Sequence, residues 1–249
     1  MFRRLVMVIL AAVQVAPLAA QEPGDARAVV GQAVAAHGGE AWLEPGTLVL
    51  SGSAVFYSPD SATPRSTAED YRMWRVLDPE RNSAHGADGK VRITARSGER
   101  VIFEVGYDGA ATWNERGIVP KAEADAFWAT NFGFGIIRSA LRGGFELQSA
   151  PGRQIDGHAL DMVRVTDPGG QQTLFGFDRE SRFIRYMAFR SPRGFHERLY
   201  DDFVKLDSGW VQARIVMLLY DGVVANVVTW DTVSVGELID PAIFAPPAK

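Results

Sequence analysis

Residues 26–37 repeat their apolar positions at helical spacing. Ala26, Val29, Val30, Ala33, Val34 and His37 fall three or four apart, and Asp25 stands where an N-cap belongs. The pattern predicts one amphipathic helix, closed by Gly38-Gly39, because glycine enters the left-handed region without steric cost. From Thr47 the period shortens. Segments rich in Val, Ile, Phe, Tyr, Trp and Thr cover 47–57, 71–77, 90–97, 100–108, 110–114, 145–150, 160–167, 172–178, 182–190, 195–206, 209–221 and 223–235, and each is predicted as strand. Turn signals such as Asp88-Gly89, Ser97-Gly98, Asp108-Gly109, Asp156-Gly157, Gly169-Gly170, Ser208-Gly209 and Asp221-Gly222 separate them. Tight turns join antiparallel neighbours, so the expectation is a meander of about ten or eleven strands, wide enough that it must twist and curl.

Two stretches break this rhythm. Residues 58–70 are polar and predicted as a long loop. Residues 120–144 begin at Pro120, end at Gly143-Gly144 and carry Trp128, Phe132, Ile136 and Ala140 as a helical stripe, so a helical excursion is expected there, with NFGFG as a place where it can break. Several strands are apolar on both alternating sets: Ile184, Tyr186 and Ala188 on one, Phe183, Met187 and Phe189 on the other. A sheet with one wet face would show polar residues on one set. Either protein covers both faces, or the curved sheet leaves a lined hollow for an apolar ligand, with the excursion as its lid. The residues singled out for that lining or lid are Trp74, Phe103, Trp113, Phe127, Trp128, Phe132, Phe134, Ile137, Leu141, Phe175, Phe177, Phe189 and Met217, with Gly133 and Gly135 as hinges.

Composition narrows the setting. Arg3 and Arg4 precede an apolar run from Leu5 to Val13 that ends in small residues near Ala19 and Ala20, which predicts a cleaved signal peptide over 1–20 and one exported domain over 21–249. The run is interrupted by Gln14 and Pro17 and is well below the roughly 20 residues of a bilayer span. With no cysteine there is no disulfide, no thiolate chemistry and no lipoprotein acylation site, so a soluble periplasmic protein is expected. Removing residues 1–20 takes away two arginines and no acid, moving the formal charge from −4 to −6 and arguing against a nucleic-acid partner.

Candidate chemistry is sparse. His37, His85, His158 and His196 lie in four different elements or turns without metal-ligand spacing, and His85 and His158 read as surface loop residues. HGGE, residues 37–40, resembles an oxyanion loop, but no Gly-x-Ser-x-Gly elbow accompanies it, so it reads as a helix end. Asp201 and Asp202 are neighbours on a strand and should face opposite sides, one solvated and one paired with an arginine. Arginine outnumbers lysine 22 to 4, read as gene base composition and not as a phosphate site. No catalytic residue, metal or cofactor is expected.

The order of elements does resemble a known family. The opening helix with AAHGGEAW, then LVLSGSAVF, YDGAATW, the helical insertion, YDDFVKLDSGWVQARIVMLLYDG and the closing VTWDTVSVGELIDPAIFAPP, with Ile239, Asp240, Ile243, Phe244 and Pro246, are similar to the LolA/LolB-like periplasmic carriers of outer-membrane lipoproteins. Trp210-Val211 and Gly236 depart from that pattern and mark a distant relative. The resemblance implies a mainly β fold, an unclosed antiparallel barrel plugged by helices, with a one-sided cavity for acyl chains or a lipidated peptide and no cofactor. Three readings stand: a carrier or sensor of a lipid, acyl chain or other apolar ligand; a periplasmic module docking a partner chain on its apolar surface; and an enzyme, should His37, Glu40 and a strand carboxylate converge.

Overall fold

The computed structural model describes residues 25–59, 63–131 and 134–246, so the expected signal peptide lies outside the described residues. Helix α1, Ala26–His37, is capped by Asp25, whose side chain accepts from Arg27 N–H, and stops at Gly38, φ 125°. After a short helix α2, Glu40–Leu43, thirteen strands follow: β1 Thr47–Tyr57, β2 Pro64–Val76, β3 Lys90–Ser97, β4 Arg100–Tyr107, β5 Thr112–Asn114, β6 Gly117–Ile118, β7 Glu146–Ile155, β8 His158–Thr166, β9 Gln172–Asp178, β10 Ile184–Ser191, β11 Gly194–Lys205, β12 Val211–Tyr220 and β13 Val223–Val235. Helix α3, Lys121–Asn131, and a 3₁₀ turn, Phe134–Arg138, lie between β6 and β7.

All thirteen strands form one antiparallel sheet in the order β6-β5-β4-β3-β2-β1-β13-β12-β11-β10-β9-β8-β7. The single meander expected from the turns is therefore two meanders, β1–β6 and β7–β13, joined where β1 pairs with β13. Three stretches pair that the sequence pattern left out, the first being residues 151–155, which extend β7 along the start of β8 as far as Ile155↔His158. Residues 64–70, read as loop, extend β2 and pair with β1 from Tyr57↔Pro64 to Ala54↔Ala68; β6 is only two residues long.

The sheet is unclosed but strongly curled. Ala84, in the loop after β2, donates its N–H to Asp167 at 2.7 Å, in the turn after β8, and the His85 ring lies 4.1 Å from that of Phe189 on β10. Ala95 on β3 and Val163 on β8 share one core cluster although eight strand-to-strand steps separate them, about 38 Å in a flat sheet at about 4.8 Å per step. His85 is accordingly half-buried, which corrects its reading as a surface residue. The chain leaves β6 at one edge and enters β7 at the other, so α3 and the 3₁₀ turn cross the concave face between the two rims.

The main core lies in that concavity, between α1, α2 and the 3₁₀ turn on one side and the sheet on the other. The opposite face carries its own small cluster, Leu160, Met162, Tyr186 and Ala188, all buried. Much of the two-faced apolar pattern in 182–190 is thus protein packing on both sides. An irregularity between Ile184 and Tyr186 in the β9–β10 register moves Ile184 onto the Met187 and Phe189 side. Asp202 has φ 51°, and there strict alternation fails: Asp201 and Asp202 are both exposed and both paired, with Arg185 and Arg214 respectively, where one solvated carboxylate and one paired with an arginine were expected.

Candidate functional site

A hollow of about 180 Å³ remains between the middle of the sheet and its helical plug. Its sheet wall is built by Leu48 and Leu50 of β1, Tyr71, Met73 and Arg75 of β2, Val228 and Trp230 of β13, Ala213, Val216 and Leu218 of β12, and Arg198, Tyr200 and Phe203 of β11. Strict alternation would turn Phe203 away from Arg198 and Tyr200; the left-handed Asp202 brings all three to one side. The cover comes from His37, Trp42, Gly135 and Arg138.

His37 ties the end of α1 to two strands. Its Nε2 accepts from Ile184 N–H at 3.0 Å, so the proton of the neutral ring sits on Nδ1, directed at Val211 O 3.4 Å away. The ring is 3% exposed and packs 5.0 Å from Trp42. Burial first, and Arg138 after it, bring its pKa down to about 4, against the opposing pull of the Val211 carbonyl. The neutral imidazole is thus a fixed cross-brace. With both nitrogens engaged by backbone and Glu40 exposed, the residues required by the enzymatic reading do not converge. Among the described residues no three His, Asp or Glu side chains group as a metal site.

Arg138 closes the hollow. Its guanidinium lies over the rings of Trp42 and Trp210, 4.7 and 5.2 Å from their centroids, and Nε donates to Trp42 O at 2.9 Å. Gly135 is held by close approach: an added Cβ would sit 2.8 Å from Arg81 Nη1 and 3.1 Å from Asp88 Oδ2, and its φ is outside the left-handed region. Gly135 and Arg138 are also walls of a second hollow of about 260 Å³, lined by Leu43, Glu44, Leu77, Arg81, Asp88, Ser139 and Arg142 among others. They form the partition between this inner chamber and an outer one whose lining holds more charged side chains.

The residues singled out from sequence separate into three places. Phe175, Phe177, Phe189 and Ile137 are buried in the main core, with Leu141 and Phe103 packed against it. Trp128 is buried with Ala124 against Val91, Ile93 and Val105, donates Nε1–H to Thr112 at 2.8 Å, and has Phe127 beside it. Trp74 and Trp113 lie on the opposite face, where Arg92 sits between their rings and Trp113 donates to Phe244 O at 2.8 Å; the closing Ile243-Phe244 segment anchors there. Met217 adjoins Leu218, which faces the hollow, and points away from it. Phe132 and Gly133 lie outside the described residues, as does the side chain of Phe134. Of the whole set, Gly135 is the one among the described residues that lines the hollow. Tyr71-x-Met73-x-Arg75 and Arg198-x-Tyr200, period-2 positions on β2 and β11, were a visible signal that selection for large apolar side chains passed over.

An unclosed, curled antiparallel sheet with a helical plug across its concave face and a chamber beneath defines a half-barrel class of fold. The particular fold is LolA-like. A structure of an outer membrane lipoprotein-sorting protein domain from Vibrio parahaemolyticus superposes with a TM-score of 0.55 at 9% identity, covering 88% of this chain and 95% of that one. A LolA superfamily protein from Nitrosomonas europaea gives 0.53 at 14% identity, covering 88% and 97%. No family model and no curated sequence matches the chain. At such identities the fold is what is shared, and at that level the resemblance drawn from sequence holds.

Proposed function

We propose that this is an exported periplasmic carrier or sensor that holds the hydrocarbon part of a lipid or acylated molecule in the inner hollow. The observation that carries the reading is the unfilled apolar chamber itself, walled by Leu48, Leu50, Val216, Leu218 and Val228. The structures it resembles support it, an outer membrane lipoprotein-sorting protein domain among them. Among the described residues no helix is long and apolar enough to cross a membrane.

Magnitudes say how such a ligand is held. A dry cavity of about 150 Å³ accepts a benzene, so the chamber as it stands takes roughly six carbons. At about 0.8 kcal/mol per methylene that is worth about 5 kcal/mol, near the low end of the roughly 4–15 kcal/mol cost of association. A longer chain requires the plug at Gly135–Arg138 to move toward the outer chamber, or a second attraction at the ligand's other end.

The test is lipid extraction of protein purified from its own exported fraction, followed by mass spectrometry, together with uptake of a fluorescent fatty acid. The expected result is co-purified lipid and saturable uptake, reduced about tenfold in a folded Ala213→Phe variant whose ring occupies the chamber. A delipidated-looking extract and no uptake would refute the reading.

A further inference from the structure

The apolar wall of the inner hollow is interrupted by guanidinium groups. Arg75, Arg138 and Arg198 all reach it, and among the described residues lining it there is no carboxylate. Arg75 and Arg81, 7% and 6% exposed, both donate to one oxygen, Asp88 Oδ2, each at 2.7 Å, while Oδ1 accepts from Asp78 N–H at 3.0 Å. A buried charge is tolerated when an opposite one balances it, and here one carboxylate is shared between two guanidiniums. Arg138 stands at the same end, on the partition to the outer chamber.

The crowding registers electrostatically. Burial, then Arg75, bring the Arg138 pKa down to about 9, with Asp88 opposing and Arg81 adding to the fall. Burial brings Arg75 down to about 10; Asp88 opposes this, and Arg81 and Arg198 add to it. Arg198 lies four strands from Arg75 in sheet order, and the curl nevertheless brings both to the lining of one hollow.

We infer that this end of the hollow is an anion subsite, and that the ligand is a single-chain amphiphile whose phosphate or carboxylate head meets Arg75, Arg138 and Arg198 while its chain occupies the apolar remainder. The inference rests on the reading of the hollow as a ligand chamber. The guanidinium fork matches the oxygens of phosphate and carboxylate two at a time and carries its charge at every physiological pH. It also supplies what the chain lacks: the chamber's hydrocarbon capacity alone barely offsets association, whereas a desolvated oxyanion against guanidiniums adds attraction and relieves their mutual repulsion.

The experiment measures dissociation constants of the mature chain for dodecyl phosphate, dodecanoate, dodecan-1-ol and inorganic phosphate. The charged amphiphiles should bind at least about tenfold tighter than the alcohol, and in Arg198→Gln that ratio should shrink to within about threefold. Equal affinity for all three twelve-carbon ligands would overturn the anion subsite while leaving the chamber intact. Binding of none of them would remove the chamber reading itself. Inorganic phosphate binding as tightly as dodecyl phosphate would overturn the amphiphile in favour of a free anion. Should Arg198→Gln not fold, the comparison of charged with uncharged ligand on the unaltered chain decides alone.

Discussion

Asp88→Asn should cost about 3–5 kcal/mol of stability, because it leaves two buried guanidiniums without the carboxylate that balances them. Arg75 and Arg81 converge on a single oxygen of Asp88, at 2.7 Å each, and Asp88 is itself buried. Asparagine preserves the shape and, through Oδ1, the bond from Asp78 N–H, but sets an amide NH2 where Oδ2 accepted from Arg75 and Arg81, so the loss reads the ion pairs with their hydrogen bonds and not the packing. Burial alone would raise the Asp88 pKa; Arg75 and Arg81 outweigh it and hold the carboxyl below its usual range, the sign expected of an ion pair that favours folding. Urea unfolding at neutral pH measures the effect as a lower midpoint with an unchanged slope. Adding Arg81→Met to Asp88→Asn should recover part of the loss, since it removes one of the two uncompensated charges. A loss below about 1 kcal/mol would mean that water or another anion already screens the cluster.

Acid should weaken the fold in a window set by His37. Its folded pKa is about 4 against 6.5 for an ordinary imidazole. Above pH 6.5 the ring is neutral in both states and its contribution is fully present; as pH falls toward 4 the unfolded chain takes up the proton and the folded chain does not. The stability lost between pH 7 and pH 4 is about 3 kcal/mol from this one ring. Asp88, whose folded pKa is also depressed, adds loss at lower pH. In His37→Gln the slope of stability against pH across that window should flatten, even though the variant starts from a lower value because the bonds to Ile184 and Val211 are altered. An identical slope in the two proteins would mean that the folded ring admits the proton freely.

What sequence made legible was local. Residues 90–97, 172–178 and 223–235 are strands at the bounds that alternation and turn chemistry set, and the hairpins at Asp156-Gly157 and Asp221-Gly222 carry the paired positive φ such turns require. The β1–β13 seam was not legible, because no local signal says that two segments some 180 positions apart are neighbours. The polar start of β2 was missed for a related reason: its extension is held by pairing with β1 and not by apolar alternation. For the site, large apolar side chains were the signal used, and the structure places most of them in packed core or on the opposite face. Phe175, Phe177, Phe189 and Trp128 are buried side chains that fill the protein's own interior and do not line the hollow. The hollow lies where Ala213, Val216 and Val228 present small side chains and where Arg75, Arg138 and Arg198 reach its lining. His37 was legible as a helix end, and its second role as a buried brace depends on Ile184 and Val211, which only the folded chain brings to it.

The central claim is that the space beneath Trp42 and Arg138 receives a hydrocarbon chain. A crystal of the protein with ω-brominated dodecanoate locates the chain end by the anomalous signal of its bromine. The account predicts a bromine peak inside the hollow, beside Val216 and Val228 and away from Arg75. Bromine only on the outer face, or none at saturating ligand, would contradict it.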